Sequence, residues 1–326
     1  MGVKKTVKHP ALINDLKALV EPHTSGSPMR PLLWASRSLT HLTEALKQKG
    51  YSVSTYVTAE ILKASGYSLQ ANRKTHEGGK HPERNAQFLY IQAQKEQHAA
   101  ANNPVLSIDG KKKELVGNYK NSGREWHPKN APEHVNVYDF VDPNVGRATP
   151  YGIFDATLNK GFVSIGTSFD TARFAVNALR TWWKKLGKKF YAKAQGILIT
   201  ADGGGSNGSR VRLWKIALQE LVNELGIPIT VCHYPPGTSK WNPIEHKMFS
   251  HISINWRGKP LRTFDDVVQY IRATTTKSGL AIDADIDPNT YEKGIKISKK
   301  ELRAVNVKRH SFHGEWNYTI SPTVAA

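Results

Sequence analysis

Apolar positions recur along this chain with two periods, and an element boundary is expected wherever one period gives way to the other. Ala11 to Val20 reads as a short amphipathic helix, followed by the breaker-rich stretch EPHTSGSPMRP. Leu39, Leu42 and Leu46 share one helical face with Gly50 as the stop, and Val57, Ile61 and Leu62 form a second stripe that ends at Gly66. Two short helices around a glycine-containing turn are the pattern of a helix-turn-helix. Helical spacing returns from Phe88 to Ala100. Short runs then predict strands at Val105–Ile108, Glu114–Tyr119, Val135–Phe140, Tyr151–Leu158 and Gly161–Ile165. A long helix is expected over Asp170–Leu186, then a buried strand from Ile197 and a helix from Ser209. A strand at Pro228–Cys232 and a helix from Pro243 to Trp256 follow. The tail reads as a helix over Phe264–Ala273 with strands near Gly294–Ile297 and Trp316–Ile320.

Hairpin-like strands followed by alternating helices and strands predict an α/β fold, a mixed sheet with flanking helices, preceded by the small helical region. The expected division is an N-terminal segment and linker over 1–34, a helix-turn-helix DNA-binding region over 35–85, the sheet domain over 86–260, and a C-terminal extension over 261–326 packed on it.

Charge narrows the partner. In 326 residues, 46 Lys and Arg face 27 Asp and Glu, a net charge of +19. Such an excess favours a polyanion, nucleic acid above all; a generically basic protein is the bland alternative. The helix after the turn carries Ser54, Thr55, Tyr56 and Thr58 where they can meet DNA, and the basic stretch QANRKTHEGGKHPER follows. The single cysteine, Cys232, rules out an internal disulfide and fits a reducing compartment. No run of membrane length and no signal-peptide pattern occurs, so a cytoplasmic protein is expected.

Against that basic background three acids stand out. Asp109 ends the first strand of the sheet region, Asp202 lies between the strand of Ile197 and the loop GGGSNG, and Glu245 lies in WNPIEHKMF. Each has a plain structural alternative. Asp109-Gly110 is a favoured hairpin turn, Asp202 can cap amides of its own loop, and Asn242, Pro243 and Glu245 read as N-cap, N1 and N3 of a capping box. Together they read otherwise. If the strands are neighbours, the carboxylates meet at one sheet edge, where two of them about 4 Å apart repel by roughly 4 kcal/mol at an effective dielectric near 20. A bound cation relieves that repulsion, and oxygen-only ligands select Mg²⁺ or Mn²⁺. Two such ions suit in-line attack on a phosphodiester. No HExxH or Cys-His spacing points to zinc, although His233, His246 and His251 lie nearby. The glycine loop lacks the GK[ST] ending of a nucleotide-binding loop, so no nucleotide cofactor is expected.

The pieces SIDGKKKELVGNYKNSGREW, YGIFDATLNKGFVSIGTSFDTARFAVNALRTWW, LITADGGGSNGSR, CHYPPGTSKWNPIEHKMFSHIS and HSFHGEWNYTI resemble the DDE transposases of bacterial insertion sequences, the ISAzo-type family. The resemblance covers about Val105 to Ile320. It implies an RNase H-like fold with Asp109, Asp202 and Glu245 as the metal-binding catalytic triad, using Mg²⁺ or Mn²⁺. It also implies cleavage at element ends and strand transfer into target double-stranded DNA by a homo-oligomer, in a bacterial, nucleoid-associated setting. Gly110 stands where the family pattern leads one to expect Thr. A front shorter than the family's gives the alternative expectation of a DNA-binding remnant that occupies element ends without cutting. Candidate phosphate contacts are Ser206, Asn207, Ser209 and Arg210 at a helix start, and Lys111, Lys112, Lys113, Arg124 and Lys240; Trp241 can stack on a base or sit in the core. Asp155 reads as a turn or strand-edge acid.

Overall fold

The computed structural model describes residues 11–20, 38–68 and 81–323; the breaker-rich stretch and most of the basic stretch before Glu83 lie outside the described residues. The chain divides into two compact units, residues 1–76 and 77–326.

In the first unit, α1 (Ala11–Val20), α2 (Leu39–Gln48) and α3 (Thr55–Ala64) are each ten residues long. Leu12, Leu16 and Val20 of α1 join Leu42, Leu46, Val53 and Ile61 in one apolar core, so the first helix belongs with the two that follow. Ser38 and Ser54 cap α2 and α3, each hydroxyl accepting an amide three residues on. Thr58 is not a surface residue. Its hydroxyl lies fully buried against that of Thr43 at 2.9 Å, because it falls on the stripe that packs α3 against α2.

The second unit opens with α4 (Arg84–Ala100) and then builds its sheet. The strands are β1 (Val105–Gly110), β2 (Glu114–Leu115), β3 (Arg147–Asp155), β4 (Lys160–Gly166), β5 (Ile197–Ala201), β6 (Ile229–His233), β7 (Ala281–Asp287), β8 (Val307–Arg309) and β9 (Asn317–Ile320). Among the described residues their order is β7-β4-β3-β1-β5-β6-β9-β8, with β2 on β3. The central five carry the topology: β3 lies antiparallel between β4 and β1, and β5 and β6 continue parallel to β1. That arrangement is RNase H-like. Between them run α5 (Ala172–Trp182), which continues through a widened π turn to Gly187, and α6 (Arg212–Leu225). A π turn over Glu245–Phe249 leads into α7 (Ser250–Asn255), followed by α8 (Phe264–Arg272) and the short α9 (Lys299–Arg303).

Side-chain alternation sends the strands to two cores. Leu106, Ile108, Ile153, Ile197 and Ile199 face α5 and α6 on one side. Phe154, Val163 and Ile165 face α7 and α8 on the other, while Val105 and Leu198 meet α4 through Ile91. Gly152 marks a close approach, since a Cβ there would lie 2.5 Å from the Phe249 ring.

Several expected elements differ. Val135–Phe140 pairs with nothing in the sheet, and Val137, Tyr138 and Phe140 are largely exposed. Only Glu114 and Leu115 of Glu114–Tyr119 form a strand, and Gly294–Ile297 forms none. The residues after 260 enter the sheet at both edges, β7 beside β4 and β9 beside β6. Asp155 is a turn acid: it accepts amides from Thr157 and Leu158 and the Tyr191 hydroxyl at 2.8 Å.

Candidate active site

Asp109 and Asp202 sit at the same end of neighbouring parallel strands. Ile108 pairs with Ala201, so the next residue on each strand brings the two acids side by side. Both share the alternation of Ser107 and Thr200, away from the core of α5 and α6. On that face lies Asn242, fully buried. Its amide donates to the Ile108 carbonyl and to Asp202 Oδ1, each at 3.2 Å. Its carbonyl oxygen accepts the Ser107 hydroxyl at 2.5 Å, and Ser107 Oγ in turn accepts the Ile244 amide at 3.1 Å. Asn242 therefore ties the segment that carries Glu245 to β1 and to Asp202.

These contacts displace the plain alternatives. Asn242 is not an N-cap: its side chain is turned to the strands, and Glu245 begins a π turn without a side-chain cap. Asp109-Gly110 is not a hairpin turn, because β2 pairs with β3 and not with β1. Asp202 takes its bond from Asn242 rather than from its own loop.

The acids are electrostatically uncomfortable. Burial, then Asp202, Glu245 and Asp170, push the Asp109 carboxyl up to about 7 against the Gly110 amide. Burial and the Glu245 charge also hold Asp202 above the usual range, against the Asn242 amide. Burial raises Glu245, with Lys111 and His246 pulling the other way. All three charges thus act on one another. Among the described residues, however, no group of three or more His, Cys, Asp or Glu side chains is arranged to hold a metal ion.

A cavity of about 570 Å³ opens over Asp109 and Asp202. Gly203, Gly204, Gly205, Ser209 and Arg210 wall one side, Tyr234 to Gly237 another, and Trp316 closes it. Gly208 lets the loop fold back on itself, since a Cβ there would sit 3.0 Å from the Gly203 carbonyl oxygen. Beneath, Trp214 donates to the Tyr318 hydroxyl at 2.9 Å, which meets His233 Nε2 at 3.1 Å, and His233 Nδ1 meets the Asp202 carbonyl at 2.9 Å. Burial pushes His233 down to about 4, so the ring is neutral and serves as a post under Asp202.

Residues 15–322 match the family described as the Rhodopirellula transposase DDE domain. The chain belongs to that DDE transposase family. No curated protein matches it. Among solved structures, a pre-cleavage Mos1 transpososome aligns at 12% identity and TM-score 0.41, over 79% of this chain and 69% of that one. The mariner Mos1 paired end complex with Mg aligns at 13% identity and TM-score 0.43 over the same shares. No helix among the described residues is long and apolar enough to cross a membrane.

The remaining candidates of this transposase-family chain fall into distinct places. Ser209 and Arg210 line the cavity, and Ser206 lies in the glycine loop beside it. Asn207 is buried, and its side-chain nitrogen meets no partner. Lys240 and Trp241 are exposed close before Glu245; the Lys240 ammonium lies 5.4 Å from the Trp241 ring centre, and Phe88 meets that ring edge-on. Lys111 is turned inward, paired with Glu114 at 2.6 Å and set 4.5 Å from the centre of the Trp256 ring. Lys112 and Lys113 are exposed on the connection after β1, and Arg124 on the one after β2. Ser54, Thr55 and Tyr56 lie at the exposed start of α3 in the other unit. Sequence reasoning missed the tie made by Asn242 and the acid Asp170, whose Oδ2 is 3.5 Å from where a Gly110 Cβ would be. It also missed Tyr151, whose buried hydroxyl meets no partner and senses Asp109, Asp170 and Asp202. The register Gly110↔Tyr151 is the signal that finds it, and only the sheet supplies that register.

Proposed function

We propose that this chain is the transposase of its element, cutting double-stranded DNA at the element's ends and joining the freed 3′ ends to target DNA. Asp109 and Asp202 would hold Mg²⁺ or Mn²⁺, with Glu245 as the third carboxylate. The donor chemistry fits: all are oxygen ligands, and their charges raise one another's proton affinity in a way a hard cation would reverse. When bound, divalent ions supply Lewis acidity at the attacking and leaving oxygens.

The chain's own residues do the rest. Asn242 orients Asp202. Ser209 and Arg210 bind the phosphate, and Trp316 with Tyr234 excludes water from the floor of the cavity. In the first step a water oxygen bonds to phosphorus and the P–O3′ bond breaks, leaving a 3′-hydroxyl. In the second, that 3′ oxygen bonds to a target phosphorus and the strand's own 3′ bridging oxygen there departs with a proton. No protein–DNA bond forms. Ser54, Thr55 and Tyr56 of the helical unit would meet the element end, and the working assembly would be a homo-oligomer on DNA.

The observation that carries the reading is the juxtaposition of Asp109 and Asp202 at adjacent strand ends, with Glu245 acting on both. A second reading, a remnant that binds ends without cutting, draws on the lack of a ready three-ligand set among the described residues. One assay separates them. A labelled end fragment is incubated with Mn²⁺ and wild type or Asp202→Ala. Metal-dependent cleavage and joining lost in the variant supports the transposase; binding by both proteins with cleavage by neither supports the remnant.

A further inference from the structure

Beside the acid cavity lies a second one of about 310 Å³, which shares Ser209, Arg210 and Trp316 with it. Its lining reverses the charge. Arg210, Arg212 and Lys215 come from α6 and the loop before it, and Arg309 comes from β8. The one carboxylate in its wall, Glu315, is hydrogen-bonded to His313 at 2.8 Å. Arg212 donates to the Ile297 carbonyl at 2.8 Å. Lys215 donates to the Ser209 carbonyl at 2.5 Å and lies 5.2 Å from the centre of the Tyr318 ring. Among the described residues, no carboxylate forms an ion pair with any of these four cations.

Elsewhere on this unit cations near acids are paired: Arg173 with Glu220, Arg180 with Glu224, Lys185 with Asp285. What sets these four apart is that they gather around one cavity. Burial and the nearby Arg309 push Lys215 down to about 8, so the protein holds this ammonium at a cost that an anion in the cavity would offset. Because the two cavities share Ser209, Arg210 and Trp316 in their walls, a polyanion with one phosphate at Asp109 and Asp202 would reach the second.

We propose that this cavity binds backbone phosphates of the DNA strand adjoining the one at the acids, held by Arg210, Lys215 and Arg309. This deepens the transposase reading and rests on it. The segment after residue 300 thereby acquires a role, because β8 and Trp316 complete the DNA path that α6 begins.

The test is salt dependence of binding, by fluorescence anisotropy, of a labelled duplex to full-length protein. Each lost phosphate contact lowers the slope of log affinity against log salt by about 0.9. Arg309→Gln, at an exposed position, should lower it by about that amount, and Lys215→Gln with Arg309→Gln by about twice as much. Lys215→Arg, which keeps the charge, should retain the wild-type slope and shows whether the position tolerates exchange. A control double, Lys188→Gln with Lys193→Gln, removes equal charge from exposed positions away from the cavity and should leave the slope near wild type. Equal slopes in the Arg309→Gln, double-variant and control proteins overturn the proposal, as does wild type that binds no DNA. If cleavage occurs but the slopes are equal, the transposase reading stands and this inference falls. If the slopes differ as expected but wild type never cleaves, the phosphate site stands and the transposase reading falls.

Discussion

Asp283 and Asp285 on edge strand β7, and Asp109 and Asp202 at the ends of β1 and β5, are pairs of acids on one sheet that meet opposite surroundings. Arg272 reaches Asp283 and Asp285 with bonds of 3.0 Å each, and Lys185 pairs with Asp285 as well. Among the described residues neither Asp109 nor Asp202 forms an ion pair; Lys111, which acts on Glu245, is already paired with Glu114. The first pair is neutralised from within the chain. The second is left charged against itself in a half-buried cleft, which costs folding free energy that, on the proposed function, a bound cation would offset.

Removing one uncompensated acid should have the largest effect, and it should act in opposite directions on activity and stability. Asp109→Asn is expected to lower metal-dependent cleavage by more than about 10²-fold. The same change should stabilise the fold at pH 8. A carboxyl raised from 3.8 to about 7 disfavours the folded state once it must ionise, by up to roughly 4 kcal/mol. The sign follows from proton binding. Between pH 4 and 7 the unfolded chain has lost this proton and the folded chain keeps it, so wild-type stability falls as pH rises through that window. Above about pH 7 the penalty is complete. Urea midpoints at pH 5 and pH 8 should differ markedly in wild type and much less in Asp109→Asn. A variant no more stable than wild type at pH 8 would mean that the cleft is not strained by its charge.

Next in size is the tie across the cleft. Asn242→Ala removes bonds to Ser107, to the Ile108 carbonyl and to Asp202. A loss of roughly 2–3 kcal/mol is expected from the buried partners left unmet. Cleavage should fall too, since Asp202 and the Glu245 segment lose their common anchor. Chemical denaturation and the end-cleavage assay read the two losses. Asp283 and Asp285 are held instead by the part-exposed Arg272 and Lys185, so an equally large loss from either acid there would remove the contrast.

β1, β5 and β6 were legible as short apolar runs because both their faces are buried, and α5 and α6 by the face each turns to the common core; that placed Asp109 and Asp202 at strand ends from the sequence alone. Strand β7 was not legible. Ile282, Ala284 and Ile286 alternate correctly, but Asp283 and Asp285 between them look like loop until Arg272 and Lys185 arrive from elsewhere in the chain to neutralise them. The opposite error occurred at Val135–Phe140, where an alternating apolar pattern has no strand to pair with and stays exposed. Asn242 shows the limit most clearly. An amide before Pro243 suits an N-cap by every local rule, and only the approach of Ser107 and Asp202, far away in sequence, turns it to the strands instead.

A smaller effect is expected at Tyr151, whose hydroxyl is buried at the acid end of the sheet without a hydrogen-bond partner. Tyr151→Phe removes an unmet polar group and should stabilise the fold by about 1 kcal/mol, read as a shift in the urea midpoint. If cleavage falls while stability rises, the hydroxyl acts in the loaded site. If stability falls, the group has a partner in solution.

The smallest effect belongs to the neutralised pair, and it tests the contrast from its other side. Arg272→Gln breaks two bonds to Asp283 and Asp285, but Arg272 is half exposed, with 48% of its side chain accessible. Exposed ion pairs contribute about 0–1 kcal/mol, because water already screens the acids and ordering a long side chain costs entropy. Lys185 also remains to share the charge. The expected loss is therefore below about 1 kcal/mol, shrinking further at high salt, with cleavage unchanged. Denaturation at low and high salt beside the cleavage assay measures all three. A loss above about 2 kcal/mol, or a tenfold fall in cleavage, would mean that the edge acids and the cleft acids are coupled through the sheet and do not form two independent solutions to the same charge.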